Sequence, residues 1–511
     1  MVLYKRVIIN LNRYFVLLEP LLYPYCHMVN MRKFVATALL GLIIWPLHHA
    51  LAVDIALPEI GDSAGAFISP QQEYQIGLGF YWRLQQSVDL VEDPEINSYL
   101  QALGYRLVAN SDAPQLPFTF FMVPNSSVNA FAAPGGFIGV HSGLLLTSQR
   151  EDEVASVLAH EIAHVTQRHL LRSFERAQNM SIPMTIAMIA AALLGAADPQ
   201  MGSAAIMAVQ AGGVQGQINF TRANEAEADN LGMQTLVRSG FDALAMPAFF
   251  ERLQQASRFY TGNAVPEFLR THPVTTSRIA EARGRAVTYP LIPQVVDTLQ
   301  FYLMREKLRV MAATSLTQLN QYYANAVKTG NSLNATATQY GYSLALTAVG
   351  NYAQARKILT KLIEQDDDRL SYQLALADIE ISVGRLSTAL EIYQDNQKLY
   401  PDDQALTLKQ VDALLQANLP KEAEKLLLRQ LELNASSQQL YKLLAQAKGD
   451  MGKKSQAHSW LAEYYYISGR LKQSADQLRI AADFAKGDEF QLAKISSRLR
   501  DIEMTLSEME N

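Results

Sequence analysis

The residues best placed to do chemistry sit in the stretch VLAHEIAHVTQRHL, residues 157–170. On a helix, His160 and His164 stand one turn apart on the same face, so two imidazoles can hold one metal ion. Glu161 projects beside that face, where it can take a proton from a water on the metal. Such a triplet implies hydrolysis, because a bound zinc lowers the pKa of water towards about 7 and polarises a carbonyl. Two histidines are not enough, since a catalytic zinc takes a third protein ligand and leaves its fourth position open.

A third ligand is available in NEAEADNLG, residues 224–232, which places Glu225 and Asp229 on one face of a second helix. Glu225 can complete a His-His-Glu set. Asp229, one turn on, can accept the free ring N–H of a ligand histidine and so fix its tautomer. Glu227 lies in the same stretch, and from these letters alone an acidic, solvated helix face is the better reading. Further along, His272 can return to the metal, can donate to the oxyanion of a tetrahedral intermediate, as can Arg278, or can simply start a helix at His272-Pro273. His169, five residues past His164, is expected to point away from the metal. His141 and His458 carry weaker claims still.

The combination of HEIAH with a downstream ExxAD resembles the M48 family of zinc peptidases. NAFAAPGGFIGVHSGLL before the first motif and RTHPVTTSRI (270–279) after the second are similar to other parts of that family's pattern, across roughly 70–290. The resemblance implies a single Zn2+ held by His160, His164 and Glu225, with Glu161 as general base and Asp229 closing the second motif. His272 and Arg278 would be supporting or regulatory groups. It also implies an edge strand around Asn129, Ala130, Phe131, Gly135 and Gly136 that grips an extended peptide through its backbone.

These residues need elements to position them. Around EYQIGLGFYWRLQQSVDL and PEINSYLQALGYRLVANS the apolar spacing is helical, with Asp93-Pro94 as a helix start. FTFFMVP reads as a strand, and Pro-Gly-Gly separates two short apolar runs as a hairpin or strand corner. The Ala- and Met-rich segment 182–214 is uncharged, and each of its runs is too short to span a bilayer. It reads as buried or flexible helices beside the site, or as a lid or interfacial segment making peripheral membrane contact.

The last third repeats every 34 residues. Gly350, Gly384, Asn418 and Gly452 keep this step, as do Ala355, Ala389, Ala423 and Ala457. Such a period marks stacked helix pairs, with Gly or Asn for the tight turn and Ala for close helix approach. It resembles the tetratricopeptide repeat. Gly469 and Ala475 follow only half a repeat later, so the register breaks there. The expected fold is therefore mostly α, a zincin-like metallopeptidase domain of helices plus a small β-sheet followed by an α-solenoid. The expected division is 53–300 for the peptidase, 301–336 for a helical linker and 337–500 for the repeats.

Composition bounds the setting. Met31-Arg32-Lys33, the apolar run 34–45 and Ala50-Leu51-Ala52 read as a signal peptide over 31–52 cleaved near Ala52, which leaves 1–30 as an extension before the true start. The one cysteine, Cys26, lies in that leader, so the mature chain has no disulfide and no cysteine-bound metal. Five of the 44 basic and one of the 49 acidic residues lie in 1–52, leaving a net charge near −9 and no basic patch for nucleic acid. An exported peptidase carrying such repeats resembles the branch of the M48 family that works in the periplasm of Gram-negative bacteria. That resemblance implies misfolded or stalled outer-membrane proteins as substrates. It also implies docking of the repeats on the outer-membrane β-barrel assembly machinery, and chaperone-like assistance. A latent protease site or a general housekeeping peptidase stay open as alternatives.

Overall fold

The computed structural model describes residues 68–175, 222–257, 267–290 and 299–510. The expected extension, signal peptide and 182–214 segment lie outside these residues. Helix α1 (Pro70–Ser87) opens with a capping box, in which Ser69 accepts from the Gln72 amide at 3.2 Å and Gln72 accepts from the Ser69 amide at 3.0 Å. Helix α2 (Pro94–Val108) starts on Asp93, whose carboxylate accepts from the amides of Glu95 and Ile96.

Three strands follow: β1 (Thr119–Val123), β2 (Ala130–Ala133) and β3 (Phe137–His141). The order is β1-β3-β2, with β1 parallel and β2 antiparallel to β3, so β2 is an edge. The Pro134–Gly136 turn between β2 and β3 requires glycine. Gly135 and Gly136 have φ of 72° and 85°, and a Cβ on Gly136 would stand 2.0 Å from the Pro117 carbonyl oxygen.

Behind the sheet run α3 (Ser142–Thr147) and α4 (Glu151–Thr166), which carries the HEIAH motif. Helix α4 is buried from Glu151 to Val165, so it is a central helix with no solvated face. Then come α5 (His169–Glu175), α6 (Arg222–Arg238), α7 (Ala245–Ser257), α8 (Glu267–Thr271) and α9 (Thr276–Ala286). Helix α6, which carries the ExxAD residues, packs along α4. Gly232 permits this approach: a Cβ there would lie 3.0 Å from the His160 backbone nitrogen.

Helices α10 (Leu299–Met311) and α11 (Leu316–Thr329) fall in the segment expected to be a linker. Helix α10 buries Phe301, Leu303, Met304 and Leu308 in one continuous core that also takes in Ile96, Leu158 and Phe268 on one side and Tyr340 and Tyr372 on the other. Its Lys307 reaches back to Asp93 (2.9 Å) and Glu95 at the start of α2.

The repeats are antiparallel helix pairs: α12 (Ala335–Ala348) with α13 (Tyr352–Gln365), α14 (Leu370–Ser382) with α15 (Leu386–Leu399), α16 (Gln404–Gln416) with α17 (Pro420–Leu433), and α18 (Gln438–Asp450) with α19 (Lys454–Ile467). Gly350, Gly384, Asn418 and Gly452 each sit in the turn of a pair, all with positive φ. Ala355, Ala389 and Ala423 are completely buried where the helices touch. After α19 the next turn, at Gly469, leads straight to α20 (Leu471–Phe484) and then α21 (Glu489–Glu510), so α19 is shared between two pairings and the half-repeat step appears as an extra helix. Helix α1 meets the solenoid there. Trp82 donates its indole N–H to the Ile467 carbonyl at 2.8 Å, and its ring occupies the space a Cβ on Gly469 would need. No helix among the described residues is long and apolar enough to cross a membrane.

Candidate metal centre

Four side chains from three elements converge beneath β2: His160 and His164 from α4, Glu225 from α6, and His272 just after α8. One possible ligand atom from each lies within 4.8 Å of all the others, and all four residues are buried. His160 Nε2 and His164 Nε2 are 3.0 Å apart, and Glu225 carboxylate oxygens lie 3.6 Å and 3.4 Å from them. His272 Nδ1 stands 3.0 Å from Glu225 Oε1 and 3.3 Å from His160 Nε2.

The outer nitrogens of the two α4 histidines are already engaged. His160 Nδ1 lies 3.1 Å from Asp229 Oδ1, and His164 Nδ1 lies 2.9 Å from His169 Nδ1. With those nitrogens bearing the ring protons, the two Nε2 lone pairs face each other across the gap. Two lone pairs and a carboxylate directed at one point form a donor set that fits a cation of the borderline kind bound by nitrogen and oxygen.

The electrostatics agree. Burial opposes charge on His160, but Asp229 and Glu225 outweigh it and lift its pKa to about 9, so this point favours positive charge. Burial would also raise Glu225, yet its histidine neighbours hold it well below the usual carboxylate range. His164 is held well below the usual imidazole range by burial. Glu161 is pushed up, first by burial, with His272 and His160 partly offsetting this. Its carboxylate is 3.4 Å from His272 Nε2 and accepts from the Ala132 amide of β2. A buried carboxylate of raised pKa beside a cation site is suited to accept and return a proton. Between β2 and His164 lies a cavity of about 10 Å³, room for about one water.

Arg278 of α9 pairs with the two carboxylates of α6. One nitrogen lies 2.7 Å from Glu225 and two others lie 2.8 Å from Asp229, while the guanidinium covers the Phe250 ring at 5.2 Å. It neutralises two buried carboxylates that would otherwise repel each other. In the edge-strand stretch, Asn129, Ala130 and Phe131 are buried, and Gly135 and Gly136 form the turn.

His169 stays outside the cluster, as a packing histidine would, but it is not remote from it: α4 ends at Thr166 and Arg168 takes a left-handed φ of 52°, so the chain doubles back and seats His169 against the outer nitrogen of His164. It is buried, and its Nε2 meets Glu227 Oε2 at 3.0 Å. Burial holds its pKa below the usual value, opposed by Glu227. A non-glycine residue in a left-handed turn leaves no mark in the sequence.

A model of peptidase family M48 matches residues 94–286, a span that includes every residue of the cluster, and a model of the coatomer epsilon subunit matches 301–490. A relative in Escherichia coli (strain K12) is 36% identical over 471 residues, 92% of this chain and 96% of its own length. With this site, fold and similarity, the chain belongs to peptidase family M48 and is a metalloendopeptidase. That Escherichia coli relative is the beta-barrel assembly-enhancing protease. The mitochondrial metalloendopeptidase OMA1 of Schizosaccharomyces pombe (strain 972 / ATCC 24843) is 31% identical over 181 residues, 35% of this chain and 50% of that one. Among solved structures, a thermophilic tetratricopeptide repeat protein of Thermus thermophilus aligns at 19% identity and a TM-score of 0.22, covering 39% of this chain and 94% of its own.

Proposed function

We propose that the chain is an exported zinc endopeptidase of the Gram-negative periplasm, freed of its signal peptide near Ala52, that degrades misassembled outer-membrane proteins and assists their assembly. The observation that carries this reading is the buried donor cluster with Glu161 beside it. In this reading His160, His164 and Glu225 hold one Zn2+, which when bound supplies a more acidic water and a polarised carbonyl. Glu161 accepts the proton from water and passes it to the leaving amine. Strand β2, at the sheet edge and bonded through Ala132 to Glu161, offers backbone groups to an extended substrate. Burying Asn129, Ala130 and Phe131 fixes that strand rather than presenting their side chains.

We divide the chain at 53–300 for the peptidase, 301–336 for the connecting helices and 337–500 for the repeats. The repeats would dock the substrate or the β-barrel assembly machinery, as stacked helix pairs offer extended surfaces to partners. The name of the Escherichia coli relative supports the barrel substrate. A second reading, a chaperone-like factor with a latent site, is favoured by the position of His272, whose ring is among the ligand atoms and stacks on Phe268 at 5.0 Å.

The test uses purified 53–511 with an unfolded outer-membrane protein, comparing wild type, Glu161→Gln and His272→Ala, each with and without a chelator. Working protease predicts cleavage by wild type only without chelator, and a loss of about 10²–10⁴-fold in Glu161→Gln with the metal retained. Cleavage that appears only in His272→Ala would establish the latent form. Cleavage by Glu161→Gln at the wild-type rate would end the assignment of Glu161.

A further inference from the structure

The three carboxylates of α6, Glu225, Glu227 and Asp229, take separate directions. Glu225 enters the donor cluster and Asp229 meets the outer nitrogen of His160. Glu227 meets neither, but binds His169 Nε2 at 3.0 Å, and His169 Nδ1 in turn lies 2.9 Å from His164 Nδ1. Arg172, one turn into α5, stands 3.4 Å from the same Glu227 oxygen.

We propose that His169 and Glu227 are positioning residues for the metal, holding His164 as Asp229 holds His160. The reading rests on a metal at the cluster. Hydrogen-bond polarity runs one way along the chain of groups. Glu227 as a carboxylate can only accept, so His169 carries its proton on Nε2. His169 Nδ1 is then an acceptor, which requires the proton of His164 to be on Nδ1. His164 Nε2 is left with its lone pair facing the cluster. Each link thus determines the next, and the tautomer needed for ligation is fixed from a residue whose side chain is 39% exposed. Orientation is fixed as well, since the His164 ring is held at both nitrogens. Such outer contacts alter metal affinity by about 10–100-fold when removed.

The experiment measures zinc affinity of the full chain by competition with a chromophoric chelator, and the rate of zinc release to EDTA. It compares wild type, His169→Ala, His169→Gln and Glu227→Ala. His169→Ala is expected to weaken zinc binding by about 10–100-fold and to speed release. His169→Gln should recover part of the loss, because its side-chain oxygen can accept from His164 Nδ1. A packing role alone would not distinguish alanine from glutamine in metal affinity. Glu227→Ala, at a half-exposed position that leaves the core intact, should weaken binding less, and it decides the matter if His169→Ala does not fold. Zinc held within about twofold of wild type by Glu227→Ala and His169→Ala overturns the relay while leaving the metal site standing. A wild type that takes up no zinc overturns both.

Discussion

Around His160 the interior is charged: within a few ångströms lie His164, Glu161, Glu225, Asp229, His272 and Arg278, all buried. Around Ala389 the interior is small and apolar, with Tyr393, Leu374 and Ala377 packed against it. The peptidase keeps its shape because each buried charge has a partner at a set distance, and the partners come from segments far apart in the chain. The repeats keep theirs because a turn and a small residue recur, and each pair needs only its neighbour. Damage should therefore spread in the first region and stay local in the second.

The largest effect is expected from Arg278→Met. It leaves Glu225 and Asp229 buried without their cation, so stability should fall by about 3–5 kcal/mol, measured by denaturant unfolding of the metal-free chain. Added zinc should restore part of that loss, since the ion replaces the missing charge beside Glu225. Unchanged stability would show that the two carboxylates share a proton instead. Next comes Gly232→Val, which places a branched side chain against the α4 backbone at His160. It should cost about 1–3 kcal/mol and weaken metal binding too, because α6 must move away carrying Glu225 and Asp229. Loss of stability without loss of metal affinity would separate helix packing from the site. The smallest effect belongs to the repeats. Asn418 sits at φ 58°, so Asn418→Ala should cost about 1 kcal/mol while Asn418→Gly stays near neutral. Neither should alter metal affinity, and if either does, the two regions are more tightly coupled than their interiors suggest.

The same contrast decides what the sequence could reveal. Turn residues Gly350, Gly384, Asn418 and Gly452 were legible because a repeated structure repeats its constraints at one spacing. His160, Glu161 and His164 were legible because one helix sets their relative positions, and the M48 resemblance pointed to Glu225 across the gap. The seat of His169 was not legible, since helical spacing was carried past Thr166, where the helix stops. Among several open roles, the position of His272 within the cluster needed the fold, because it depends on how α8 and α9 pack. The continuity of α10 with both halves of the core was hidden for a similar reason: an amphipathic helix between two regions reads as a connector whichever side it packs against.

The contact of Trp82 with the Ile467 carbonyl joins residues 385 apart. Closing so long a loop costs only about 2 kcal/mol more than closing one 34-residue repeat, so entropy is a minor obstacle. Time is the larger one. Helix α1 is made well before its partner turn, and at about 5–20 residues per second the interval is about 20–80 s. Throughout that interval the indole has no seat. A chain broken off before Gly469 never acquires one, so every such copy carries an uncovered tryptophan that a finished copy hides.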